Sequence, residues 1–414
     1  MGLRRIPRTV DLGKEGSYAF YASLILLTTE AILDMKTKNV LIVSGFLKDT
    51  YTSIERQYVE FTRDQNCNAG MSFYWLVPTI SNKKQLAETR NDYLYVEKLK
   101  DIEAKIIRAD LSAKRIISSY LQLRKILKQY KIDLVWTHFG VERYLGLILG
   151  KLAGVKTALN VHGEYFAEWR KGVLLKKICV FLFADAFIAV SEAMATPFRS
   201  YGKTMVLANS FIPDSFPDIG EEDKERFRKK YGIAKGKKVI CMVAAFRQEK
   251  RHILAVDILE GVHKRHPEAC LFLAGDGPEL DNVAKYVVEK QLDDHIILSG
   301  HISELNELYS ISVVSLLTSR IEPFGMVILE AMYKKLPVVA ENSGGPAEII
   351  ENQQDGFLVE PDDTKAFVEI VDRLLEDENV RAEVGKNAKQ KVVNDYLFGS
   401  WRTKQCDILS SILE

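Results

Sequence analysis

The chain has 414 residues, 47% of them hydrophobic, and its 57 Lys and Arg nearly cancel 56 Asp and Glu to leave a net charge of +1. That length suits two domains, at about 100 to 200 residues each, with a large core. No uncharged apolar run reaches the roughly 18 residues a membrane span needs, no solenoid repeat or low-complexity tract occurs, and five cysteines without a CxxC pair suit a reducing compartment.

In chain order, Arg4 to Val10 is polar and broken by Pro7 where a leading strand is expected. Leu12-Gly13-Lys14-Glu15-Gly16-Ser17 is a glycine-containing turn before the apolar run Tyr18 to Thr29. That run reads as the first helix and not as a signal peptide, because Asp11, Lys14 and Glu15 part it from the basic start and no small-residue cleavage site follows. Ala113 to Tyr130 and Val141 to Leu152 have helical spacing, while Ile132 to Thr137 and Ala158 to Val161 read as short strands, the second leading into His162-Gly163-Glu164. This alternation predicts an α/β fold with a parallel sheet covered on both faces, and ligands beyond the carboxyl ends of its strands.

Ile212-Pro213 to Lys238 reads as a linker, with two prolines and the charge-dense stretch Glu221 to Lys230. A cut there divides charge unevenly: residues 1–212 hold 31 Lys and Arg and 20 Asp and Glu, net +11, whereas residues 213–414 hold 26 and 36, net −10. Beyond it, the strand Val239 to Val243 runs into Ala244-Ala245-Phe246-Arg247-Gln248-Glu249-Lys250, a loop with a guanidinium fork and a point-charge ammonium suited to a diphosphate. Leu271 to Ala274 leads into Gly275-Asp276-Gly277-Pro278, and Ile296 to Ser299 into Gly300-His301-Ile302; both read as strand ends with turns.

Val313 to Leu317 is a buried strand, Phe324 to Lys335 has helical spacing, and Glu322-Pro323-Phe324-Gly325 is the turn between them. Gly325 lets backbone approach a ligand, and the free N–H groups and dipole of the helix start favour an anion such as phosphate. Glu322 and Glu330 then accept hydrogen bonds from hydroxyls on either side of it, the layout of a sugar nucleotide. Ser343-Gly344-Gly345-Pro346-Ala347-Glu348, after the strand Val338 to Glu341, reads as a helix start with a structural role.

Taken together, these segments resemble the donor-site signature of the retaining glycosyltransferases of family 4, which have the GT-B fold, two Rossmann-like parallel-sheet domains facing across a cleft. The resemblance implies an acceptor-side domain over 1–212, a linker over 213–236, a nucleotide-sugar-binding domain over 237–392, and a helical segment over 393–414 that packs back toward the first domain. It implies that Glu322 contacts the transferred sugar, that the backbone of Phe324, Gly325, Met326 and Val327 holds the diphosphate, and that Glu330 contacts the ribose. Arg247 and Lys250 would stabilise the leaving group, although the common pattern has Arg where this chain has Ala245. Gly277, His301 and Ile302 would border the nucleotide, and His162 matches the histidine that relatives set against the donor sugar. Gly13 and Gly16 stand where relatives carry a glycine-rich loop on the acceptor and diphosphate side.

The implied reaction is front-face transfer with retention from a UDP- or GDP-sugar to a glycan acceptor, lipid-linked, in polysaccharide or glycolipid synthesis. The leaving diphosphate oxygen takes the acceptor's proton, so no side-chain nucleophile is needed. The chain has no DxD sequence, and no metal or other cofactor is expected. A GT-B relative that hydrolyses or epimerises a nucleotide sugar, or a catalytically silent nucleotide-sugar-binding protein, stays open as an alternative. A dinucleotide oxidoreductase is disfavoured because no GxGxxG opens a helix after a strand. No nucleic-acid partner is expected. The basic first half and the alternation of basic and apolar residues from Trp169 to Phe183 predict a cytoplasmic protein, peripheral on an anionic membrane face, against the competing reading of a core helix with a solvated basic edge.

Overall fold

A computed structural model describes residues 37–44, 52–63, 70–79, 93–140, 142–163 and 173–414, with backbone alone for 173–177. The expected turn with Gly13 and Gly16, the helix Tyr18 to Thr29, Cys67, Glu164 and residues 169–172 of the basic segment lie outside the described residues.

Two parallel sheets organise the chain. The first contains β1 (Lys38–Val43), β2 (Met71–Val77), β3 (Lys105–Arg108), β4 (Leu134–Thr137), β5 (Lys156–Val161), β6 (Ala186–Ala189) and β7 (Lys203–Val206), in the order β3-β2-β1-β4-β5-β6-β7. The second contains β8 (Lys238–Val243), β9 (Ala269–Ala274), β10 (Ile296–Gly300), β11 (Ser312–Leu317), β12 (Val338–Glu341) and β13 (Phe357–Val359), in the order β10-β9-β8-β11-β12-β13. Each sheet reverses direction once, between β1 and β4 and between β8 and β11. A crevice opens at such a switch point beyond the strand carboxyl ends, because neighbouring connections leave it on opposite faces.

Among the described residues, the first strand is Lys38–Val43, central in its sheet and flanked by β2 and β4, and Val40 to Val43 are fully buried, as a strand packed on both faces requires. Arg4 to Val10, where a leading strand is expected, lies outside the described residues.

Right-handed crossovers put helices on both faces of the first sheet. Leu123, Ile126 and Leu127 of the helix Ile116–Gln129 and Leu145 and Leu149 of Glu142–Leu152 pack on Leu41, Val43 and Val135, with Val173–Phe183 alongside through Val180. Ser53–Arg63 and Leu94–Asp101 cover the opposite face. The expected helix Ala113 to Tyr130 opens with a 3-10 turn, Ala113–Arg115. Within the stretch 213–236, Glu221–Lys230 is a helix whose Phe227 is buried in the second core against Phe272.

The last helix, Phe398–Leu413, belongs to the first domain's core although it follows the second domain in sequence. Phe211 N donates to Tyr396 O at 2.7 Å and Phe398 N donates to Phe211 O at 3.1 Å, so the two chain crossings are stitched together. Trp401, 3% exposed, then sets its ring edge-on to Phe61 at 5.5 Å and Tyr58 at 5.7 Å. Trp401→Ala should empty this contact and destabilise the protein by about 3 to 5 kcal/mol. The check is the urea midpoint followed by tryptophan-independent far-UV signal; an unchanged midpoint would show that the helix is dispensable to the core.

Candidate active site

The switch point of the second sheet brings together two residues 72 positions apart. Lys250 follows β8 and Glu322 follows β11; because these strands are neighbours, their loops emerge side by side, and Lys250 Nζ lies 2.5 Å from Glu322 Oε2. Backbone contacts hold the lysine loop: Thr318 Oγ1 donates to Lys250 O at 2.8 Å and Arg320 N donates to Glu249 O at 3.1 Å. Gly277 supports the same loop from β9, since a Cβ there would sit 2.4 Å from Phe246 O. Arg247 is not in this contact; it is exposed and lines a separate depression with Arg251, Asp257, Glu279 and Asp362.

The turn Glu322–Gly325 is held by the next helix start. Gly345 N donates to Glu322 O at 2.8 Å, and a Cβ on Gly345 would lie 2.2 Å from Phe324 O, so only glycine fits. Gly325 has φ 101° and caps the helix Met326–Tyr333, which begins two residues later than its spacing predicts because Phe324 and Gly325 are spent on the turn. Phe324 is buried, Met326 and Val327 are half-buried, Ile302 is buried and His301 is exposed.

Glu330, 4% exposed, is the fifth residue of that helix and faces the first domain. Ser53 Oγ donates to its Oε1 at 2.6 Å and Tyr309 OH donates to its Oε2 at 3.2 Å. Burial pushes the Glu330 carboxyl up to about 7, and the two hydroxyls offset only part of that cost. A cavity of about 820 Å³ opens here between the domains, with Ser53 and Arg56 on one wall and Ser303, Leu305 and Glu330 on the other. Neither Ser53 nor Tyr309 was legible as a site residue, since each lies outside any motif.

On the first domain's side, β5 delivers His162 to the cleft. Trp136 Nε1–H can only donate, so its 3.3 Å contact fixes the oxygen of Asn160, whose Nδ2 then donates to Tyr58 OH at 3.1 Å and to His162 Nε2 at 3.0 Å. His162 therefore carries its proton on Nδ1, which has no partner among the described residues. Burial, reinforced by the charge of Arg143, lowers the His162 pKa to about 3, so the ring is neutral at physiological pH. Its neighbour Gly163 touches Pro323: a Cβ would come within 2.5 Å of that ring. Ser191 Oγ donates to Pro323 O at 2.7 Å, and Glu348 accepts from the backbone N–H groups of Glu192 and Ala193 at 2.8 and 2.9 Å. These contacts hold His162 and Glu322 on facing loops.

Two parallel-sheet domains facing across a cleft are the GT-B fold. Two family models match in tandem, "Glycosyltransferase Family 4" over residues 71–210 and "Glycosyl transferases group 1" over residues 223–391, and the chain belongs to glycosyltransferase family 4. Among curated relatives it is 25% identical to N-acetyl-alpha-D-glucosaminyl L-malate synthase of Bacillus anthracis, over 70% of this chain and 78% of that protein. It is 28% identical to UDP-Gal:alpha-D-GlcNAc-diphosphoundecaprenol alpha-1,3-galactosyltransferase of Escherichia coli, over 69% and 77%. The solved structure of Anabaena HepE in complex with UDP and glucose shares the fold at a TM-score of 0.73 and 19% identity, covering 90% of this chain and all of that one.

The buried carboxyl of Glu330 has a consequence for stability. The native state keeps this proton up to about pH 7, whereas an unfolded chain releases it near 4.5. Unfolding between those values releases a proton, so Glu330's contribution to stability should fall as pH rises from about 4.5 to about 7 and stay flat above. Urea midpoints across that range should decline in the wild type and lose this component in Glu330→Gln; parallel profiles for the two proteins would show that Glu330 titrates normally.

Proposed function

We propose that this glycosyltransferase moves a sugar, with retention, from a UDP- or GDP-sugar to a lipid-linked glycan at the cytoplasmic face of a membrane. The observation that carries the reading is the Lys250–Glu322 pair at the strand ends of β8 and β11, beside the helix start at Gly325. An ammonium and oriented backbone N–H groups suit a departing diphosphate, and a carboxylate beside them suits the hydroxyls of the sugar it leaves. Phe324, Gly325, Met326 and Val327 supply those N–H groups. Glu330 accepts from the ribose in place of, or beside, Ser53, while Gly277, His301 and Ile302 border the nucleotide. His162, neutral and with a free Nδ1–H, donates to the donor sugar. Arg247 adds a second positive charge by turning in from the rim. Glu322 orients and is not a nucleophile; the leaving oxygen takes the acceptor's proton, and no metal takes part. The Escherichia coli relative, whose name specifies a UDP-sugar and a diphosphoundecaprenol-linked acceptor, supports this donor and acceptor class.

Calorimetry separates the two carboxylates. Above about pH 7, where Glu330 is ionised, Glu330→Ala should weaken free nucleotide and nucleotide sugar alike, by about ten- to hundredfold for a lost charged hydrogen bond of about 1.5 to 3 kcal/mol, while Glu322→Ala should spare free nucleotide and damage transfer. Wild-type affinity in Glu330→Ala would remove the ribose assignment. A panel of UDP- and GDP-sugars with membrane extract as acceptor identifies the substrates, and donor loss without acceptor would favour hydrolysis instead.

Charge compensation is tested by chelation. Turnover should survive EDTA and fall steeply in Lys250→Ala and Arg247→Ala. Loss of turnover on chelation, restored by Mg²⁺ or Mn²⁺, would overturn the metal-free assignment.

A further inference from the structure

We infer that His138 is a positioning residue for the transfer reaction, holding the His162 ring, together with Asn160, as the tautomer that carries its proton on Nδ1. His138 is the first residue after β4, and His162 is the first after β5, the neighbouring strand. The His138 backbone N–H donates to Val43 O at 3.0 Å, at the end of β1, so the residue sits where the first sheet reverses direction.

The hydrogen bonds leave one assignment for each proton. Trp136 Nε1–H can only donate, so the Asn160 oxygen faces it and the Asn160 Nδ2 faces His162. An amide N–H set 3.0 Å from His162 Nε2 needs a lone pair on that nitrogen. His138 Nδ1 lies 3.2 Å from the same nitrogen, and because His162 Nε2 has no proton to give, His138 Nδ1 must be the donor. His138 therefore carries its own proton on Nδ1 and keeps Nε2 as its acceptor. Two donors, one from β5 and one from the turn after β4, converge on one atom of His162. They fix both its tautomer and the rotation of its ring.

Packing keeps the two rings in this relation. His138 is fully buried, with Tyr58 edge-on at 4.4 Å and Trp136 at 4.5 Å between ring centroids, so there is no room for its ring to turn over. Phe139 stacks on the His162 ring at 4.1 Å. Burial holds the His138 pKa well below the usual imidazole range, as it does that of His162, so neither ring gains the second proton that would break the donor–acceptor pair. The arrangement secures the remaining polar atom of His162. Its Nδ1–H is a buried donor without a partner among the described residues, which an acceptor on a ligand would satisfy. For its purpose the inference rests on the proposed contact of His162 with the donor sugar: a donor already oriented costs no further ordering when the sugar arrives.

Nitrogen-15 labelling of histidine reads the tautomers directly. Among the seven histidines, the ring correlations lost in His162→Gln and in His138→Asn identify the pair, and both should show Nδ1 protonated and Nε2 bare in the wild type. Asn carries an amide N–H near the place of imidazole Nδ1, whereas Leu carries none. His138→Leu should therefore release part of His162 to the Nε2–H tautomer and lower kcat for transfer by about five- to tenfold, while His138→Asn should restore the tautomer and most of the rate. UDP affinity by calorimetry should match wild type in both variants, which controls for folding, and the wild-type spectrum keeps the test decisive if His138→Leu does not fold. The inference is overturned if wild type carries either proton on Nε2, or if a folded His138→Leu keeps both the wild-type His162 tautomer and the wild-type rate. Wild-type turnover in His162→Ala would instead remove the proposed sugar contact and leave the hold of His138 on the ring intact.

Discussion

The site depends on one close approach of backbone to backbone, where Gly344 and Gly345 lie against Glu322 and Phe324. Gly345 N satisfies Glu322 O, and either Cβ would overlap the opposing main chain. Everything chemical follows from the turn so held. Glu322 meets Lys250, Pro323 rests on Gly163 and accepts from Ser191, and Gly325 starts the helix that carries Glu330. A segment that reads as structural thus positions the turn that carries Glu322, because a buried turn must have its peptide groups paired and its neighbours small.

Glu330 shows how the two domains share a single electrostatic problem. A carboxyl this deeply buried is costly to ionise unless hydrogen bonds replace water. One of its partners, Tyr309, belongs to its own domain, but the shorter bond comes from Ser53 across the cleft. The Ser53 hydroxyl thus offsets part of the burial cost of this carboxyl from across the cleft.

Charge is partitioned to match. The first domain is basic as a whole, yet His162 at its cleft edge is neutral, held so by burial and by the charge of Arg143. Lys114, Arg115, Arg124, Lys125 and Lys128 are instead exposed along and just before the helix Ile116–Gln129. The second domain is acidic as a whole but places a lysine where an anion would sit. Net charge therefore misleads about each site's local field, which a few neighbouring groups dominate over short distances.

Much was readable without coordinates. Strands packed on both faces appear as unbroken apolar runs, so β8, β9, β11 and β12 were legible within a residue or two, and the 322–330 spacing alone set two carboxylates around a helix start. Lys38–Val43 did not stand out, because nothing local shows which apolar run will lie at a sheet's centre. Sequence by itself determined the alternation of elements and the family, since these depend on local periodicity and fixed spacing. Tertiary structure decided that Lys250 and not Arg247 pairs with Glu322 and that Ser53 reaches Glu330 across 277 positions, because contact is set by which faces meet when the sheets close.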